Sequence, residues 1–430
     1  METHHLITCH ECDALLHKTQ LSDKDNAHCP RCDALLYHHT ANQVERICAL
    51  TLAALITFVI AQIFPILEMD VNGMRVQTTL LGALEALWNQ DMQLVAVMVF
   101  CSTLLFPLIE MAALLYVLLS LRAGRVPPAF NAVLRAIQLA RPWGMIEVFM
   151  LSILVTIVKM VSLARVVPEA ALFAFGALTL MLAAVMMLDP RALWDLADEI
   201  RACRAGPGGR GRPRRSAAPM KITSAARAGM ASCHACGRVQ KLARPEVHLP
   251  ERCARCGTAL HLRKPDSIAR TWALLLAAVI LYIPANLLPI LRTVSIGGAQ
   301  EDTIMSGVVY FWVSGDGPLA VVVFVASILV PMLKLGALTI LVISAQRRSA
   351  WRPVQRTRLY RIVERIGRWS MLDIFVVTLT VALVHFRSLV EITAGPGALA
   401  FGSVVILSML ASMQFDPRLI WDHVVTPGKH

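Results

Sequence analysis

The chain is 430 residues long, 56% hydrophobic and only 16% charged, with a formal net charge of +12 and a mean hydropathy of +0.60. A soluble chain of this size needs more surface charge, so the composition argues for a membrane protein and against a soluble globular domain. The positive excess sits mostly in short arginine-rich loops between apolar runs, where membrane topology places it, so no nucleic-acid partner is expected.

In chain order, the first feature is Cys9-x2-Cys12, sixteen residues, then Cys29-x2-Cys32. It is not an apolar core behind a basic start, so no secretory signal is expected and the first apolar segment must serve for insertion. Apolar runs of bilayer-spanning length follow at about 47–67, 93–121, 144–166 and 170–189. The stretch 78–88 is too short to span and reads as interfacial or re-entrant. The basic run Gly206–Arg215 has no Gly-Lys-Ser/Thr ending and is read as a flexible linker lying on anionic headgroups, not as a phosphate loop.

Then the pattern recurs. Cys233-x2-Cys236, sixteen residues and Cys253-x2-Cys256 precede runs at about 269–291, 318–345, 371–390 and 397–415, with a short apolar stretch at 303–313. Pro65 answers Pro289, Trp88 answers Trp312 and Pro107 answers Pro331, each 224 positions on. Asp189-Pro190-Arg191 and Asp416-Pro417-Arg418 close the two halves. This period is far longer than a solenoid repeat. The expected fold is an all-α polytopic membrane protein, a tandem duplication of a four-helix unit, each copy preceded by a zinc-ribbon module. The expected divisions are 1–46 (first ribbon), 47–195 (first four-helix domain), 196–232 (linker), 233–264 (second ribbon), 265–422 (second four-helix domain) and 423–430 (tail).

Loop charge sets the orientation. Loop 122–142 holds Arg122, Arg125, Arg135 and Arg141 without an acid, and loop 346–369 holds eight arginines against Glu364. These loops are expected in the cytoplasm with both termini, both ribbons and the linker, leaving 68–92 and 292–317 periplasmic. An even number of crossings per half makes the repeat parallel.

Two CxxC pairs at this spacing bring four thiolates to a tetrahedron, and a reducing cytoplasm disfavours disulfides. Two structural zinc ions per chain are therefore expected, one on Cys9, Cys12, Cys29 and Cys32 and one on Cys233, Cys236, Cys253 and Cys256. A redox dithiol and rubredoxin-like iron are the alternatives. Gly237 and Gly257 follow knuckles of the second module where a left-handed backbone is wanted, whereas the first has Asp13 and Asp33, which tolerate it less well. His10, His28, His38 and His39 read as solvated bystanders.

Taken with Leu288-Pro289-Ile290, Gln300-Glu301-Asp302-Thr303-Ile304, Ser327–Pro331, Gly367–Asp373 and the Asp-Pro-Arg closures, the paired ribbons resemble the paraquat-inducible protein A family of bacterial inner-membrane proteins. The resemblance covers essentially the whole chain. It implies lipid trafficking across the Gram-negative envelope beside periplasmic MCE-domain tunnel proteins. It implies no redox chemistry, since the family name records induction.

Ionisable residues inside spans are costly and usually face a bundle interior. Lys159 shares a helical stripe with Ser152 and Thr156, and His385 and Thr378 stand at repeat-equivalent positions 226 residues on. Lys334 lies three residues after Pro331, and Glu110 three after Pro107. Each proline frees the carbonyl four residues earlier, at Thr103 and Ser327. Lys159, Lys334, Glu110, His385, Ser152, Thr378 and Thr380 form a candidate polar transport site. Glu147 and Asp373 are equivalent but sit in first turns, where the helix dipole alone favours a carboxylate. No phosphate loop, HExxH or Ser-His-Asp grouping is present, so no enzyme is expected. The competing readings are a thiol redox protein and a passive anchor whose ribbons bind a partner. No homo-oligomer is predicted.

Overall fold

The computed structural model describes residues 6–18, 26–38, 44–71, 74–89, 93–161, 165–204, 223–242, 251–295, 298–315, 317–367, 370, 372–383 and 390–424. The protein is mostly helical and runs through one order of elements twice. In the first half β1 (Leu6–Thr8), β2 (Leu15–His17), β3 (Asn26–His28) and β4 (Leu35–His38) precede α1 (Val44–Ile63). The hairpin β5 (Leu67–Val71) and β6 (Met74–Thr78) leads to α2 (Leu80–Asn89), α3 (Gln93–Phe100) and α4 (Phe106–Arg122). Then follow α5 (Phe130–Ala140), α6 (Ile146–Val161), β7 (Arg165–Pro168), α7 (Ala170–Met186) and α8 (Pro190–Arg204).

In the second half β8 (Met230–Ser232) and β9 (Val239–Lys241) precede α9 (Ser267–Leu287), β10 (Leu291–Ser295), β11 (Gly298–Asp302), α10 (Ile304–Val313), α11 (Gly317–Phe324) and α12 (Val330–Gln346). The chain continues through α13 (Pro353–Gly367), α14 (Leu372–Leu383), β12 (Val390–Ala394) and α15 (Pro396–Gln414), and a 3-10 turn, Pro417–Ile420, stands where the first half has α8.

Among the described residues five helical stretches are long and apolar enough to cross a membrane: Val44–Ile63, Gln93–Arg122, Ser267–Leu287, Ala320–Gln346 and Pro396–Gln414. The pair Ala170–Met186 and Pro190–Arg204, bent by 56°, makes a sixth if taken as one span. Helices also occupy the third and seventh expected runs, but α6 has 16 residues and α14 only 12. Beyond them, within the expected runs or at their ends, Arg165–Pro168 and Val390–Ala394 pair as strands. β7 and β6 flank β5, and β12 and β11 flank β10, all antiparallel. Each half thus has a three-stranded sheet at one end, opposite the ribbons, where the sequence suggested only loops. Glycine makes the second sheet's closure possible. Gly395 N–H donates to Ile290 O at 2.6 Å and Gly397 N–H to Pro289 O at 3.0 Å, and a Cβ on either would collide with the Pro289 carbonyl.

Both expected proline sites are π-helical turns, Cys101–Leu105 before Pro107 and Val325–Leu329 before Pro331. A π turn is how a helix absorbs a missing i→i−4 bond, and one carbonyl in each turn, though not the Thr103 or Ser327 carbonyl expected, accepts a donor from another segment. Ser102 O accepts from Met145 N at 3.3 Å, and Ile328 O from the Tyr282 hydroxyl at 3.1 Å.

The halves meet at α6 and α14, which are repeat equivalents. Phe149 packs edge-on to Phe375, its counterpart 226 residues on, with centroids 5.6 Å apart. Ser152 Oγ donates to Leu372 O across the same junction at 3.1 Å. Like residues therefore face like, as around a two-fold axis. The symmetry breaks at the sheet end. α2 buries Leu80, Ala83, Leu84 and Leu87 and packs on α14, whereas α10 packs on α11 and leaves Tyr310, Trp312 and Val313 exposed.

Candidate metal centres and intramembrane polar site

Each knuckle is a tight turn whose first cysteine carbonyl accepts an N–H from the fourth residue after it, as in Asp13 N–H to Cys9 O at 3.0 Å and Gly237 N–H to Cys233 O at 2.9 Å. That residue is left-handed in all four knuckles: φ is 59° at Asp13, 61° at Asp33 and 73° at Gly237 and Gly257. Asp13 is a working substitute for glycine. Its carboxylate accepts from Ser224 Oγ at 2.7 Å, Ala226 N at 3.0 Å and Arg263 at 3.1 Å, tying the first ribbon to the segment before the second.

The thiols converge in two buried clusters, each with all four sulfurs within 4.8 Å of one another. Cys9–Cys32 and Cys12–Cys29 are 3.5 Å apart, Cys233–Cys256 3.4 Å and Cys236–Cys253 3.6 Å. A tetrahedron of 2.3 Å metal–sulfur bonds has edges of about 3.8 Å, so the donor sets fit a thiolate-bound cation. Contact with Cys29 pushes the Cys12 thiol well above its ordinary range, and Cys233 does the same to Cys236. Four thiolates can share such a space only with a cation among them. Among the described residues the metal-competent groups contain cysteine alone. His10 contacts Glu11 and His28 contacts Asp33 instead, while the His38 side chain and His39 lie outside the described residues.

Glu110 and Lys334 occupy the same place in the two repeats with opposite charge. Glu110, 4% exposed, accepts from Arg141 Nε at 2.8 Å, and Arg141 Nη1 donates to Leu188 O at 3.1 Å. The repeat equivalent of Arg141 is Gly367, and a Cβ there would lie 3.2 Å from Lys334 Nζ. Lys334, 2% exposed, therefore fills the room an arginine would need and donates to Ser408 Oγ at 3.0 Å. Among the described residues no carboxylate reaches it. A buried ammonium needs hydrogen-bond acceptors or a counter-charge to offset its desolvation.

Ser152, Thr156 and Thr378 are fully buried, each hydroxyl donating to the carbonyl four residues back at 2.8 Å. Lys159 lies on the last turn of α6, on the sheet side, roughly 20 Å along the axis from Ile146 at 1.5 Å per residue. Lys334, beside Gly367, lies near the other end of the α6–α14 pair. The side chains of Lys159, Thr380 and Asp373 and the whole of His385 lie outside the described residues, and Glu147 is in the first turn of α6. The residues that sequence reasoning missed are Arg141, Ser408 and Gly367. Arg141 was counted only as loop charge, yet aligning the halves at offset 226 sets it against Gly367 and marks the position.

The family model for paraquat-inducible protein A matches residues 44–198 and again 268–425. The chain belongs to the paraquat-inducible protein A family. It is 32% identical over 427 residues to the Escherichia coli K12 protein named "Intermembrane transport protein PqiA", covering 98% of this chain and 97% of that one. It is 31% identical over 415 residues to "Lipophilic envelope-spanning tunnel protein A" of the same organism, covering 96% and 90%. A "Probable intermembrane transport protein" of Haemophilus influenzae is 29% identical over 423 residues, covering 97% and 95%. No solved structure matches the chain. The spans and the family together make it a multi-pass membrane protein of an intermembrane transport family.

Proposed function

We propose that this family member is an inner-membrane component of a lipid-trafficking system that passes phospholipid between the membrane and a periplasmic MCE-domain tunnel protein. Its architecture is a tandem duplication of a four-helix transmembrane unit, with the boundaries given above, zinc in both four-thiolate ribbons, and ribbons and termini in the cytoplasm. The repeated element order and the two family-model matches support the duplication. The names of the relatives support transport and a non-enzymatic role.

The observation that carries the reading is Lys334. Its equivalent Glu110 is paired with Arg141, while among the described residues Lys334 is bonded to Ser408 and to no carboxylate. A phosphate headgroup brings the missing counter-charge and offsets the desolvation of the ammonium. In this reading Lys159, on the last turn of α6, supplies the second cationic group to the headgroup. Ser152 and Thr378 add buried hydroxyls and Glu110 a paired carboxylate, Thr380 and His385 contribute further polar groups, and Glu147 and Asp373 act at helix starts. Acyl chains lie against the apolar walls.

Lys159→Ala and Lys334→Ala should each abolish complementation of envelope integrity in a strain lacking redundant pathways, with expression and metal content unchanged. Full complementation by both would leave the passive-anchor reading in its place. Elemental analysis should give about two zinc ions per chain, and stoichiometric iron would reject the zinc assignment. A C-terminal tag should resist impermeant reagents in intact spheroplasts, and labelling there would reverse the orientation.

A further inference from the structure

The cysteine cluster of each ribbon is buried against the half it does not precede, although Lys18 also pairs with Asp195 at 2.6 Å and Arg263 and Lys264 bond to Asp422 and Asp416 of their own halves. The Cys9, Cys12, Cys29 and Cys32 cluster is buried with Leu341 and Val342 of α12, Tyr360 of α13 and Trp421. Arg361 donates to Glu11 Oε2 and to Cys32 O, both at 2.6 Å, Arg31 stacks on Trp421 at 4.6 Å, and Arg418 donates to His10 O at 3.3 Å. The Cys233, Cys236, Cys253 and Cys256 cluster is buried instead with Leu114 of α4, Leu134 and Ile137 of α5, and Trp194 of α8. Gln138 Nε2 donates to Ala235 O at 2.8 Å, Asn131 Nδ2 to Arg255 O at 3.3 Å, and Arg255 to Asp195 and Asp198, both at 2.8 Å.

The crossing obeys the repeat. Trp194 Nε1 donates to Asn131 Oδ1 at 2.9 Å in one dock and Trp421 Nε1 to Thr357 Oγ1 at 3.0 Å in the other, and Asn131 and Thr357 are 226 residues apart. Arg31 and Arg255, 224 apart, each reach the opposite half. The same swap made twice with corresponding residues is a built feature.

We propose that the metal-loaded ribbons are reciprocal clamps: metal in the first ribbon orders the ribbon end of the second half, and metal in the second ribbon orders that of the first. The acceptors that hold the docks, Cys32 O, Ala235 O, Arg255 O and His10 O, are knuckle carbonyls, placed by loops that close on the thiolates. The ribbons have strands of only three or four residues and, beside the cysteines, a small apolar cluster around Leu15, Ala225 and Val239, so an emptied cysteine cluster loses the loop geometry that presents these carbonyls. Both clamps act at the end of the bundle where Glu110 and Lys334 lie, and they border a cavity of about 1080 Å3 lined from both ribbons by His10 and His234 and from both closures by Arg191 and Arg418. The clamp rests on the reading that the ribbons hold metal, not on what the bundle carries.

Hydrogen exchange read by mass spectrometry on the purified full chain, with elemental analysis of the same samples, tests it. Cys32→Ser should halve the metal and speed exchange at least tenfold in Pro353–Gly367 and Pro417–Ile420 while sparing Phe130–Ala140. Cys256→Ser should do the reverse, loosening Phe130–Ala140 and Pro190–Arg204 and sparing Pro353–Gly367. Loosening confined to the ribbon itself, in the variant's own half, or equal in both halves would overturn the clamp. A metal-free, fully protected wild type would overturn the metal reading instead. If the cysteine variants do not accumulate, Arg361→Ala and Gln138→Ala keep all eight thiolates. Each should retain two metal ions and loosen only the first or only the second ribbon, and unchanged exchange in both would overturn the proposal.

Discussion

Lys334 and Glu110 show how one position of a duplicated chain takes two roles. Glu110 has a partner that compensates it, so removing that partner exposes a buried charge. Arg141→Met should destabilise the detergent-solubilised protein by on the order of 3 kcal/mol, and Glu110→Gln with Arg141→Met should recover much of this in a double-mutant cycle followed by thermal unfolding. Lys334→Met should go the other way, leaving stability unchanged or raised because it deletes a buried ammonium with no carboxylate partner among the described residues, and yet lose envelope complementation. A stability loss in Lys334→Met would assign the lysine to folding. Both charges were legible in the sequence as intramembrane residues after a proline. Their partners were not, because Arg141 lies 31 residues and Ser408 74 residues away, and only packing brings them in. Glycine gives a second residue-scale contrast. Gly395→Ala meets the Pro289 carbonyl and should cost more than about 1 kcal/mol, whereas Gly307→Ala has open space in a helix and should gain up to about 1 kcal/mol, both read as melting shifts.

At the scale of elements, apolar length located helices in all eight expected runs, and proline at 107 and 331 located the two breaks, which proved to be π turns. The three-stranded sheets were not legible. Their strands are four or five residues long, and β5 and β10 each pair with a strand about 100 residues further on, so no local alternation announces them. The α6–α14 junction predicts a cross-link. In a background lacking Cys48, Cys101 and Cys203, Phe149→Cys with Phe375→Cys should join the halves under mild oxidation, and neither single variant should. Failure of the pair to link would remove the like-on-like junction.

For the whole molecule, the repeat was plain from the cysteine spacing and the 224-residue correspondences, but the exchange of ribbons between halves was not. Nothing in a linear repeat says which copy a module will dock on; Arg361 with Glu11 and Gln138 with Ala235 decide it through contacts 350 and 97 residues apart. The proposed headgroup site rests on the buried Glu110–Arg141 pair and on Lys334, which among the described residues has no carboxylate partner. The most direct measurement is transfer of labelled anionic phospholipid from vesicles containing the purified protein to a soluble MCE-domain acceptor. Wild type should transfer, and Lys334→Met should reduce transfer at least tenfold while keeping two metal ions and full thermal stability. Equal transfer by wild type and Lys334→Met would contradict the account.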